Sequence, residues 1–102
     1  MPTIEDALAY MGIDYPDELI RKNVTRALAA ATQVLYGAVG EDVDTLLPGD
    51  ARVRELVLIY TDDLYTERGV SAKVSGATRR LVEDMVLQLQ LDLRTLREAA
   101  GV

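Results

Sequence analysis

The chain has no cysteine and no histidine. Without thiols, neither a disulfide framework nor a thiolate metal site can form, and a reducing compartment is compatible. Without imidazole, the usual general base near neutral pH and the usual nucleophile-base pairs are missing, which removes most hydrolase readings. Phenylalanine and tryptophan are also absent, and the aromatics are five tyrosines. The core is therefore expected to be aliphatic, built from Ala, Leu and Val, with helices able to approach closely. No apolar run approaches the roughly 18 residues that span a bilayer, and the acidic start lacks a signal-peptide pattern, so a soluble chain made inside the cell is expected. Positive charge is in short supply: 11 basic residues stand against 17 acidic ones, a net charge of -6. That balance opposes free binding to nucleic acid or to an anionic membrane. The seven glycines are scattered, so there is no phosphate cradle.

What remains is a helical pattern. At 102 residues the chain is read as one domain over residues 1–102, long enough for a single core and short for an enzyme with a deep cleft. A short first helix begins at Thr3, whose hydroxyl caps it, buries Ile4, Ala7, Leu8 and Met11, and stops at Gly12. A longer second helix, capped by Asp14 or Asp17, turns Ile20, Val24, Ala27, Leu28, Ala31, Val34 and Leu35 inward. Residues 37–50, with Gly37, Gly40, Pro48 and Gly49, read as a loop pinned by Val43, Leu46 and Leu47. Asp50 caps a third helix running to Arg68 and stopping at Gly69, with Val53, Leu56, Val57, Tyr60 and Leu64 inward. The last helix starts at Ser75 or Thr78. The fold class is all-α, with about four helices.

Two stretches carry more apolar surface than one helix face can hide. In the last helix Leu81, Val82, Met85, Val86, Leu89, Leu93 and Leu96 fall within one broad sector, whereas Leu87 and Leu91 land on the opposite side, where a lone chain would show them to water. The strict alternation of Leu87, Leu89, Leu91 and Leu93 with polar residues also fits a strand, but the helix formers around it and the missing β-branched and aromatic residues favour a helix. In the third helix Leu58 and Tyr65 share a flank outside the inward stripe, which predicts a second exposed patch and a smaller stability loss for Leu58→Ala than for Leu64→Ala. Arg79 and Arg80, at the start of the last helix where positive charge opposes the dipole, suggest a partner carboxylate on another subunit, and Arg68 has the same reach.

Asp63 and Glu67, one turn apart, have a spacing that could hold a hard cation, but a solvated helix face explains them better. Glu41, Asp42 and Asp44 lack the glycine and closing glutamate of a calcium loop. No catalytic residue, cofactor or metal site is expected.

In order and spacing, the chain resembles the bacteriophage head-tail connector proteins, the small adaptors of the portal. The likeness rests on Ala7-Leu8-Ala9-Tyr10-Met11-Gly12-Ile13-Asp14 followed by Asp17-Glu18 and Leu19-Ile20; on Ala29-Ala30-Ala31 leading to Leu35-Tyr36-Gly37; on Leu64-Tyr65-Thr66-Glu67-Arg68-Gly69; and on Arg79-Arg80-Leu81-Val82-Glu83-Asp84-Met85-Val86-Leu87-Gln88-Leu89. The segment from Gly69 to Ser75 is shorter than the arm many members carry there. The resemblance implies a virion protein of the head-tail junction, made in the bacterial cytoplasm, that forms a homo-oligomeric ring under the portal protein, meets a tail-side adaptor or head-closure protein, and lets DNA pass without sequence-specific binding. It implies no membrane partner. The interface residues expected on this reading are Leu58, Tyr65, Arg68, Arg79, Arg80, Leu87 and Leu91. A small helical interaction or regulatory module forming a two-fold dimer is the alternative.

Overall fold

The structure of the chain, a computed structural model, describes residues 1–66 and 76–101, residues 76 and 77 by their backbone. The described residues form an all-α arrangement of five helices: α1 (Ile4–Tyr10), α2 (Glu18–Val39), α3 (Val43–Leu46), α4 (Ala51–Thr66) and α5 (Gly76–Ala100).

Three of the helix starts, those of α1, α2 and α4, have a local chemical cause. Thr3 accepts the Asp6 amide at 3.2 Å while Asp6 accepts the Thr3 amide at 2.9 Å, a reciprocal capping box on a helix too short to hold itself. Asp17, not Asp14, caps α2 by accepting the Ile20 amide at 2.8 Å. Asp50 accepts the Arg52 amide at 2.8 Å at the start of α4. Gly12, at φ 72°, takes the left-handed turn after α1.

Helix α2 makes its most extensive contact with α4, and that pair is the centre of the molecule. Helix α1 lies on α2 and α4, while α5 lies on α2, α3 and α4. Two apolar clusters result. The larger joins Ala31, Leu35 and Val39 of α2 with Val43 of α3, Val53, Leu56 and Val57 of α4, and Leu89 and Leu93 of α5. The smaller joins Ala7 and Leu8 of α1 with Val24 of α2 and Leu58 of α4, flanked by Tyr65 and Ile20.

This arrangement corrects several sequence expectations. The segment 37–50 is not one loop: α2 continues through Gly37 to Val39, and α3 occupies its middle. Tertiary burial of Val39 and Val43 outweighs the weak helix propensity of a single glycine. Val34 and Leu81, expected inside, are exposed because they sit at the edges of their inward sectors. Leu58, expected on an exposed flank, is only 7% accessible, and Tyr65 packs beside it. Since α4 is flanked by α1 as well as by α2 and α5, it buries Leu58, Ile59 and Thr61 in addition to the expected stripe. The buried Thr61 hydroxyl donates to the Val57 carbonyl at 2.6 Å, so its polar atom is satisfied. Thr78 lies inside α5 and does not start it. Ser75, Arg68, Glu67 and Gly69 lie outside the described residues.

Candidate interaction surfaces

The outer face of α5 is built by simple phase. Leu89 and Leu93, fully buried, define the inward direction. At about 100° per residue, Leu87 and Leu91 point nearly the opposite way, and they are 53% and 54% accessible. Their surplus, read from the sequence, is present in the fold. Leu81, also 54% accessible, sits on one shoulder of that face.

The inward half of the same helix carries polar ties. Arg97 donates from Nε to Asp42 at 2.8 Å and from Nη2 to the Val39 carbonyl at 2.6 Å. Gln90 donates to the Ala38 carbonyl at 2.9 Å. Those carbonyls belong to the last turn of α2, where no further helical amide reaches them, so α5 supplies both the missing donors and a cation at the negative end of the dipole. Arg52 of α4 bonds Asp50 at 2.9 Å and Asp92 of α5 at 2.9 Å. On the other side of the molecule, Arg21 pairs with Glu5 and Arg54 with Asp6, each at 2.9 Å, which holds α1 to α2 and α4. The ties of Arg97, Gln90 and Arg52, together with the buried Leu89 and Leu93, set the orientation of α5 and with it the direction in which Leu87 and Leu91 point. Nothing in the neighbouring residues signals the ties of Arg52 to Asp92, of Gln90 to Ala38 and of Arg97 to Val39 and Asp42, because those partners lie far along the chain.

The remaining expected interface residues separate. Arg79 lines a shallow depression between α4 and α5 with Ile59, Tyr60, Asp63, Val82 and Glu83, whereas Arg80 falls in the outward sector with Leu87 and Leu91. Adjacent residues on a helix diverge by about 100°, so the basic pair serves two surfaces. Leu58 and Tyr65 contribute no exposed patch, since α1 of the same chain lies over them. Arg68 falls outside the described residues.

Electrostatically, the polar ties act on carboxylates. Hydrogen bonding from Arg97 holds Asp42 below the ordinary carboxylate range, hydrogen bonding from Arg52 does the same for Asp50, and the Thr3 backbone amide for Asp6. The Tyr10 hydroxyl is pushed up, first by burial and then by the negative charges of Glu55, Asp62 and Asp63. The Tyr36 hydroxyl, which donates to Asp44, is pushed up by that bond. Among the described residues no group of three or more acidic side chains is placed to hold a metal ion, and no helix is long and apolar enough to cross a membrane. No family model, curated protein or solved structure matches this chain.

Proposed function

We propose that the chain is a head-tail connector-type adaptor of a tailed bacteriophage, forming a ring beneath the portal and joining the DNA-filled head to the tail. The observation that carries this reading is the outer face of α5, where Leu87 and Leu91 stand in water on a helix whose orientation is fixed by polar ties. The ordered resemblance of the four sequence blocks adds to it. The role is geometric rather than catalytic: each subunit offers an apolar strip to a different surface of the next, and a closed ring repeats that contact without a free end. The acidic surplus of the chain suits a channel through which DNA slides without sticking.

The test is a native mass spectrum of the protein with and without the portal protein of the phage that carries it, together with tail joining in a phage that lacks it. Rings that form on the portal, with filled heads that fail to join tails in their absence, are the expected results. A plain dimer with no affinity for the portal, or normal joining without the protein, overturns the reading.

A further inference from the structure

The outward sector of α5 contains more than two leucines. Arg80, Asp84, Leu87, Leu91, Arg94 and Glu98 follow one another at spacings of four and three residues, the rhythm of a two-helix seam. All six are exposed. At about 100° per residue they fall within a strip about 80° wide centred opposite Leu89 and Leu93.

The order of chemistry along the strip reads the same in both directions once signs are inverted. A second copy of the strip laid antiparallel, with its two-fold at Leu89, brings Leu87 against Leu91, Asp84 against Arg94 and Arg80 against Glu98, and each pairing occurs twice. The Arg94 to Glu98 ion pair within the helix, at 3.3 Å, is well exposed, so it can join a four-charge cluster with Arg80 and Asp84 of the partner copy at little cost. A parallel pairing of the same strips sets each charge against its own kind. Leu81, on the shoulder of the strip, falls beside Thr95 of the second copy.

We infer that the free protein pairs with a second copy of itself through an antiparallel α5-α5 seam centred on Leu87 and Leu91. Such a contact is isologous and closes at two copies, so it cannot propagate around a ring. In a chain that also assembles on a portal, the pair is a stored form that keeps the leucines covered and must part before assembly. The strip is small for a protein interface, so the association belongs in the micromolar range.

Sedimentation equilibrium from about 1 to about 300 µM tests this. The wild type is expected to move from monomer to dimer over that range, and Leu87→Gln with Leu91→Gln to remain monomeric. Two charge variants keep the net charge and the opposite signs at each i, i+4 spacing: one carries Arg80→Glu and Asp84→Arg, the other Arg94→Asp and Glu98→Arg. Each alone sets like charges together and is expected to weaken association at least tenfold, while an equimolar mixture of the two forms a heterodimer as tight as the wild type. A wild type that stays monomeric throughout, a dimer that survives the leucine changes, or a mixture that fails to recover association overturns the seam. Portal binding is read separately, so loss of one result leaves the other standing.

Discussion

Arg97 of α5 grips Asp42, at the corner between α2 and α3, with two guanidinium nitrogens, Nε at 2.8 Å and Nη2 at 2.5 Å. The residue that directly follows α2 is Gly40, at φ 105° and ψ 148°, a backbone conformation that side chains rarely adopt. A Cβ built there would collide with the Arg97 guanidinium.

Gly40→Ala is therefore expected to destabilise the chain by about 1 to 3 kcal/mol, from backbone strain together with displacement of Arg97. Gly37→Ala should do the opposite, stabilising by about 0.5 to 1 kcal/mol, because Gly37 is inside α2 and a Cβ there meets nothing. Urea unfolding followed by circular dichroism measures both. Shifts of the same sign would contradict the observed end of α2.

Leu58→Ala is expected to cost about 2 to 5 kcal/mol, and more than Leu64→Ala, since Leu58 is buried beneath α1 and Leu64 is only partly buried at the edge of the larger cluster. This reverses the order expected from the sequence. The same urea experiment ranks them, and a smaller loss at Leu58 would mean that α1 does not cover it.

On α5, Leu89→Ala should cost about 2 to 5 kcal/mol, whereas Leu87→Ala, two residues away, should change monomer stability by no more than about 0.5 kcal/mol. Dilute thermal melts below the association range separate fold from pairing. Equal losses would mean that α5 is rotated from the orientation described.

Acid should loosen the polar ties. Asp42, Asp50 and Asp6 have folded-state values below their unfolded ones, so the stability they contribute is complete above the unfolded value of about 3.9 and is lost as pH falls through the lowered folded values. Melting temperature is accordingly expected to be flat with respect to these groups from pH 7 to about pH 5 and to fall below about pH 4. In Asp42→Asn, which removes one of them, the acid limb should be shallower. An unchanged limb in that variant would detach Asp42 from the effect.

How far this architecture is legible in the sequence depends on the distance over which each cause acts. Caps are local, so Thr3, Asp50 and one of the two candidates for α2, Asp17, could be named from neighbouring residues. Periodicity is also local, and it placed Leu87 and Leu91 opposite Leu89 and Leu93. It could not foresee that a short first helix would lie across α4, which is why Leu58 looked like surplus and is core. Gly37 and Gly40 look alike in a string of letters. One sits in a helix and the other at its end because of where Val39 and Val43 find apolar neighbours. The ties made by Arg52, Gln90 and Arg97 depend on side chains meeting backbone and carboxylate groups far along the chain, which no window of neighbouring residues contains.

The place of α4 between α1, α2 and α5 also sets the order in which the molecule opens. Amide hydrogens near Leu56 and Val57, and those of α2 facing them, are expected to exchange only when the whole fold comes apart. Helix α1, seated by the small cluster and two exposed ion pairs, can lift away while the α2-α4 pair stays closed. The α2-α4 pair is therefore expected to exchange slowly and the first helix fast, with opening of α1 exposing Leu58 while the rest stays folded.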